Sequence, residues 1–77
     1  MSKQEFLNEL ETILEAEPGS VHGTDPLMDL EGWDSLAMLS TIAMIDEKLG
    51  LNVSAKKLDD CKTVDDLIAL LGDKISG

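Results

Sequence analysis

The stretch "GWDSLAML" places Ser35 between the carboxylate of Asp34 and an apolar run, near the middle of a 77-residue chain. A serine hydroxyl becomes a catalytic nucleophile when a histidine base lies within hydrogen-bond reach. The only histidine, His22, lies in a turn-rich segment that precedes the serine. The stretch is also not the Gly-x-Ser-x-Gly turn that many hydrolases use. These residues disfavour hydrolysis, and we predict no catalytic residue.

A helix that begins at Ser35 allows two other roles for the hydroxyl. It could cap the helix by accepting a hydrogen bond from a free N–H group of the first turn. Asp34 can fill that role equally well, which would leave Ser35 pointing outward as the first helical residue. A helix N-terminus carries a positive partial charge and tolerates an attached phosphate. The residues alone leave both roles open: helix cap, or point of attachment.

The elements that must position this serine are helical. A first helix is predicted from Lys3 to Ala16, because Ser2 and Glu5 have capping-box spacing and Pro18 follows the segment. Its apolar stripe consists of Phe6, Leu7, Leu10, Ile13 and Leu14. Three acids, Glu9, Glu11 and Glu15, fall largely off this stripe and are expected to face water.

A long connection over residues 17–33 leads to the serine. Connections of this length are uncommon in compact domains and are often functional. We expect Leu27, Met28 and Leu30 to hold it against the core, with a short helical turn inside it. Trp33 is interpreted as an anchor of the loop on the bundle.

Three further helices follow. They are predicted at Ser35–Leu49, closed by Gly50, at Ala55–Asp60 near a Ser54 cap, and after a Thr63 cap, with Asp66 at the capping-box position. The last one has its apolar stripe at Val64, Leu67, Ile68 and Leu71, and the terminal "DKISG" is expected to fray. The fold class is therefore all-α: a single domain over residues 1–77, with three main helices, one short helix and a long loop between the first two. Cys61 is expected to point inward as a small hydrophobe.

The helix after the serine has more apolar residues than one buried face needs. On a helical wheel its natural core face is Met38, Ile42, Ile45 and Leu49, and Met44 falls off both apolar sectors. A second sector holds Leu36, Leu39 and Ala43, bordered by Asp46 and Glu47. This sector could pack under the long loop, or it could dock a partner through apolar contact and charge steering.

Charge supports a protein partner. The net charge is −10, and residues 4–47 contain eleven acids without a lysine or arginine. Nucleic acids and anionic membrane surfaces are disfavoured as ligands, because binding to phosphate needs cations. A partner with a basic patch would be steered to such a surface. The acids lack the spacing of a calcium loop, so no metal site is predicted.

The cysteine content and the hydropathy of the sequence indicate the cellular compartment in which the protein is expected. Cys61 is the single cysteine, so an internal disulfide is impossible and a reducing compartment, the cytoplasm, is the simplest expectation. No apolar run reaches membrane-spanning length, and the N-terminus lacks the apolar core of a secretory signal. We expect a soluble monomer that does not insert into membranes.

The sequence resembles the acyl carrier proteins. "GWDSLAML" at the head of the second helix, after a long loop in an acidic helical chain, is similar to their attachment motif, and "NVSAKKLDDCKTVDDLIALL" is similar to their third helix, connecting loop and fourth helix. The resemblance implies a carrier and not an enzyme. Ser35 would bear 4′-phosphopantetheine, transferred from coenzyme A by a phosphopantetheinyl transferase. Acyl intermediates would be held on that arm as thioesters.

The resemblance also implies roles for neighbouring residues. Asp34 would assist recognition by the transferase. The family's partner-docking helix matches Leu36, Leu39, Ala43, Asp46 and Glu47. The partners would be acyl-transferring and synthase enzymes of fatty acid, lipid or polyketide biosynthesis that carry basic docking patches.

Some positions depart from the common fatty-acid-synthesis carriers. Those carriers usually have acids near Ala37 and Ser40, an acidic third helix where this chain has Lys56 and Lys57, and a small residue in place of Trp33. The departures favour a specialised pathway. A different class also remains open, an acidic helical adaptor that docks basic partners and has no prosthetic group.

Overall fold

A computed structural model describes residues 1–76 as a bundle of four α-helices. The helices are α1 (Lys3–Leu14), α2 (Ser35–Leu49), α3 (Ala55–Asp60) and α4 (Val64–Leu71), with short 3-10 helices at Leu27–Asp29 and Gly72–Lys74. The all-α prediction is confirmed, and so is the short helical turn inside the long loop. No described helix has the length and apolar character needed to cross a bilayer.

The predicted caps form as the local sequence indicates. Ser2 and Glu5 make a reciprocal capping box at α1, Ser54 accepts from the backbone N–H of Lys57 at α3, and Thr63 with Asp66 makes a second capping box at α4. In α1 the N–H donated to the Glu5 carboxylate lowers the pKa of that group. Each pairing satisfies N–H groups that a helix start leaves without an internal partner.

The end of α1 differs from the prediction by two residues. The helix stops at Leu14 because Glu15 adopts a left-handed conformation, φ 56°, in which its N–H donates to carbonyls of the last turn. The chain therefore turns away before Pro18 and Gly19 are reached.

The core is one cluster to which every helix contributes. Its fully buried large side chains are Phe6, Leu10, Leu27, Ile45, Leu58, Val64 and Leu67. These residues come from α1, the loop, α2, α3 and α4 in turn. Burial of this apolar surface is the main favourable term that holds the bundle together.

The buried face of α2 agrees only in part with the predicted one. Ile45 is buried as predicted, and Met38, Ile42 and Leu49 are half-buried and pack against the core. The other buried residues of the helix, Ala37, Thr41 and Met44, lie outside the predicted face. Met44, which falls off both apolar sectors of the predicted helix, is therefore part of the core. The helix is apolar on several sides, so its sequence alone does not fix which side faces inward.

Glu11 is also buried, contrary to the expectation for the acids of α1. Its side chain is 3% exposed, and its Oε2 accepts hydrogen bonds from the backbone N–H groups of Gly19 (2.9 Å) and Val21 (3.1 Å). The carboxylate thus fastens the beginning of the loop to α1. Two N–H donors compensate for part of the hydration it loses.

The later part of the loop pairs with the connection before α4. The N–H of Leu27 donates to the carbonyl of Lys62, and the N–H groups of Val64 and Asp65 donate to carbonyls of Asp25 and Gly23. Leu27 is buried and Leu30 half-buried, as predicted, but Met28 is 90% exposed and does not hold the loop against the core.

The C-terminal residues do not fray as expected. Ser76 pairs with Ser2 in an isolated parallel bridge, its N–H donates to the carbonyl of Met1, and Ile75 packs against the core. The two ends of the described chain therefore hold each other in place. Gly77 lies outside the described residues.

Candidate functional site

The start of α2 places Ser35 as the first helical residue. Asp34 is the N-cap: its Oδ1 accepts a hydrogen bond of 2.9 Å from the N–H of Ala37. The hydroxyl of Ser35 is therefore not needed as the cap, and the residue is exposed. Of the two roles that the sequence left open for Ser35, the helix-cap role belongs to its neighbour.

The other three helices differ in this respect. Their caps are the hydroxyl-bearing residues Ser2, Ser54 and Thr63, and each hydroxyl accepts from a backbone N–H of its own first turn. In α2 a carboxylate does this instead, and the hydroxyl follows one position later. A hydroxyl free of capping, at the positive end of a helix of 15 residues, is suited to carry a phosphodiester.

The loop fixes the direction in which the chain enters α2. Trp33 donates its backbone N–H to the carbonyl of Leu30 (3.1 Å) and its half-buried side chain packs against the core, as the anchor role predicts. Gly32 has φ +88°, and a Cβ there would lie 3.3 Å from the carbonyl oxygen of Leu14. Only glycine adopts this backbone readily at such a close approach. Asp34 and Ser35 are thereby held at the end of a fixed turn.

The second apolar sector of α2 is open to solvent. Leu36 is 71% exposed and Leu39 60%, and Ala43 is exposed as well. The sector therefore does not pack beneath the loop. Asp46 and Glu47 are also exposed, and within residues 1–76 neither has a cationic nitrogen within 4 Å.

A groove runs beside the serine, between the last turn of α1 and the first turns of α2. Its volume is about 410 Å³, and its walls include both chain neighbours of the serine, Asp34 and Leu36. From α1 and its C-cap come Thr12, Ile13, Leu14 and Glu15, so this wall of the groove is half polar and half apolar. Ser35 itself does not line the groove.

The one thiol of the chain is not a candidate for carrying acyl groups. Partial burial raises the pKa of the Cys61 thiol, and the neighbouring carboxylates of Asp66 and Asp60 raise it further. Its Sγ donates to the carbonyl of Lys57 at 3.4 Å. A thiol held in the protonated form is a weak nucleophile. Cys61 is half-buried, in agreement with the prediction that it behaves as a small hydrophobe.

The remaining chemistry-bearing residues do not assemble into a catalytic group. His22 is exposed and its Nδ1 lies 3.6 Å from Oδ2 of Asp25 on the surface of the loop. Among residues 1–76, no three side chains of histidine, cysteine, aspartate or glutamate lie close enough together to hold a metal ion.

An exposed hydroxyl at a helix start, beside a carboxylate cap and open apolar residues, has the chemistry that covalent attachment of a phosphate-linked group requires. Comparison with protein-family models agrees: residues 4–71 match the family described as phosphopantetheine attachment site. The chain belongs to this family. It is a phosphopantetheine-carrying protein and not itself a catalyst, and 4′-phosphopantetheine is its covalent cofactor. An adaptor without a prosthetic group does not fit this membership. No curated protein and no solved structure matched the chain.

Proposed function

We propose that this protein is an acyl carrier protein in which Ser35 bears 4′-phosphopantetheine. The proposal depends on one observation: at the start of α2, the residue that caps the helix and the residue with the exposed hydroxyl are two different residues. Asp34 caps the helix through its bond to Ala37, and the exposed hydroxyl next to it is left available for modification. When bound, the group supplies a flexible arm ending in a thiol that carries acyl groups as thioesters.

The residues of this chain would position the attached group and present it to enzymes. The N–H groups at the start of α2 and the helix dipole favour a phosphate on the first residue. Asp34 holds the first turn of the helix in place and presents a carboxylate to the transferase. Gly32 and Trp33 fix the turn that precedes the helix, and so fix where the backbone of Ser35 lies.

The outer face of α2 is the proposed docking surface. It combines the exposed apolar residues Leu36, Leu39 and Ala43 with the exposed carboxylates of Asp46 and Glu47. Apolar contact at the centre and opposite charge at the rim are what steered protein–protein association requires. The proposed partners are a phosphopantetheinyl transferase and acyl-transferring or synthase enzymes with basic docking patches.

A specialised lipid, polyketide or cell-envelope pathway is favoured over general fatty acid synthesis. Ala37, where the common carriers have an acid nearby, is 5% exposed, so a carboxylate there would lose its hydration and packing explains the departure. Ser40, Lys56 and Lys57 are exposed and face no such constraint. Their departure from an acidic surface is therefore the feature that supports a dedicated set of partners.

We further propose that residues 1–77 act as one carrier domain, as a monomer in the cytoplasm. The single core cluster supports the domain proposal. The single cysteine of the chain, which allows no internal disulfide, supports a reducing compartment.

Intact-mass spectrometry tests the attachment site. The purified chain is incubated with coenzyme A and a broad-specificity phosphopantetheinyl transferase, and one adduct of the mass of phosphopantetheine is expected. Ser35→Ala should remain unmodified. Ser40→Ala is the matched control, since Ser40 is an exposed serine of the same helix, and it should be modified like the wild type. An adduct that persists in Ser35→Ala would refute the proposed site.

A further inference from the structure

The most exposed large apolar side chains of residues 1–76 surround Ser35 in the sequence. Met28 is 90% exposed, Leu36 71% and Leu39 60%. Leu36 and Leu39 belong to the docking surface of α2, but Met28 lies in the loop, outside that surface. A large apolar side chain left in water at this position calls for an explanation.

The exposure of Met28 is imposed by an ordered backbone. On one side, buried Leu27 points into the core and its N–H donates to the carbonyl of Lys62 at 2.9 Å. On the other side, the N–H of Asp29 donates to the carbonyl of Pro26 (3.0 Å) and the N–H of Leu30 to that of Leu27 (3.1 Å). With Leu27 inward and the turn closed by these bonds, the intervening side chain must point outward.

The loop continues directly from this turn to the serine. The N–H of Leu30 donates to the carbonyl of Leu27, and the N–H of Trp33 donates to the carbonyl of Leu30, so two hydrogen-bonded turns follow one another. The Asp34 cap comes directly after the second turn. Each such turn spans less than about 7 Å between its end Cα atoms. The outward turn and the start of α2 therefore lie within the footprint of one partner of standard interface size, about 800 Å² per side.

The surroundings of Met28 repeat the chemistry of the α2 surface. Asp29 and Glu31 next to it are exposed, and within residues 1–76 neither carboxylate has a cationic nitrogen within 4 Å. An apolar side chain edged by free carboxylates is complementary to an apolar depression within a basic patch. Methionine is unbranched and polarisable, so it adapts to differently shaped pockets, as contact with several partners requires.

We propose that Met28 is a docking residue: partner enzymes that act at Ser35 cover it with an apolar depression inside their basic patch. The inference rests on the proposed function and extends the docking surface from α2 to the loop. The occupant is a basic partner enzyme and not a second copy of this chain, because a copy would bring the same acidic surface against Asp29 and Glu31.

Steady-state kinetics of modification test this inference. A broad-specificity phosphopantetheinyl transferase with coenzyme A is the probe, and the full chain is the varied substrate. Met28→Ser should raise KM for the chain about fivefold to tenfold with kcat within about twofold, as expected when one central apolar contact is lost. Met28→Leu should retain most of the affinity. Leu70→Ser, at an exposed apolar position of α4, is the matched control and should behave like the wild type.

The outcomes separate the two proposals. If the wild type is modified at Ser35 and Met28→Ser has an unchanged KM, Met28 is not a docking residue and the proposed function stands. If Leu70→Ser raises KM as much as Met28→Ser, the loss is general and the inference is wrong. If sedimentation shows the wild type to be a dimer that Met28→Ser dissociates, a second copy covers the residue instead of an enzyme. A wild type that accepts no phosphopantetheine removes the basis of both proposals. Thermal unfolding checks that each variant is folded.

Discussion

The first turns of α2 and α4 differ in how their free backbone N–H groups are satisfied. Both begin with a side chain that satisfies free backbone N–H groups. In α4 the hydroxyl of Thr63 accepts from the N–H of Asp66, and the Asp66 carboxylate accepts in return from the N–H groups of Thr63 and Lys62. In α2 the carboxylate of Asp34 caps the helix alone and the hydroxyl of Ser35 takes no part.

The difference extends to the apolar faces of the two helices. Val64, Leu67 and Leu71 of α4 are at most 3% exposed, whereas Leu36 and Leu39 of α2 are more than half exposed. In α4 the hydroxyl of Thr63, the carboxylate of Asp66 and these three apolar residues serve the fold. In α2 the same kinds of side chain are left accessible, which costs hydrophobic stabilisation and is expected where a surface must meet other proteins.

The largest difference in effect is expected when one leucine in each of the two helices is replaced by alanine. Leu67→Ala should lower the free energy of unfolding by about 2–5 kcal/mol, since it leaves a cavity in the core. A domain of this size has a total of about 4–12 kcal/mol, so the variant should be marginally folded. Leu39→Ala should change the same quantity by less than about 0.5 kcal/mol. Urea unfolding followed by circular dichroism measures both.

A Leu39→Ala variant as unstable as Leu67→Ala would show that the outer face of α2 is packed against something in solution. The assignment of that face to docking would then be wrong. Conversely, full stability together with weaker docking would separate the residues that hold the bundle from those that serve its partners.

The second test concerns the caps. Thr63→Ala should lower the free energy of unfolding by about 1 kcal/mol, a typical effect of losing an N-cap side chain. Asp34→Ala should have an effect of similar size. Ser35→Ala should change it by less than about 0.5 kcal/mol, because the Ser35 hydroxyl makes no cap. If unfolding curves show Ser35→Ala to be as damaging as Asp34→Ala, the hydroxyl is structural, and the attachment proposal loses its main support.

Features that depend on residues close together in the sequence could be predicted, whereas features that depend on contacts between elements could not. The caps depend on residues three positions apart, and Ser2, Ser54 and Thr63 are the caps that the sequence predicts. For α2 the sequence leaves Asp34 and Ser35 as alternatives, and the structure shows that Asp34 is the cap. The face of α2 could not be assigned in the same way. With apolar residues on several sides, its orientation depends on what α1 and the loop bring against it, and Met44 turned inward as a result.

The two largest errors have the same physical origin. Glu11 was expected in water, but the loop folds back and supplies two backbone N–H donors to its carboxylate. Met28 was expected inside, but Leu27 fills the core and the turn directs its neighbour outward. Both outcomes depend on contacts between a helix or turn and another segment of the chain, which the spacing within one helix does not predict. In the candidate site, local spacing limits the cap of α2 to Asp34 or Ser35, whereas the exposure of Met28 could not be predicted from it.

The smallest expected effect is the pH dependence of the α4 cap. The N–H groups of Lys62 and Thr63 that donate to Asp66 lower the pKa of its carboxyl below the ordinary value of about 3.9. The unfolded chain then binds more protons than the folded one in acid. The stabilisation from this group is complete above about pH 5 and is lost as the pH falls through the lowered pKa.

Asp66→Asn should therefore flatten the dependence of the melting temperature on pH between about 5 and 3 relative to the wild type. Asp46→Asn, which removes an exposed carboxylate outside any cap, controls for the change in net charge. Equal slopes for the two variants would mean that the capping box does not distinguish α4 from α2 in solution.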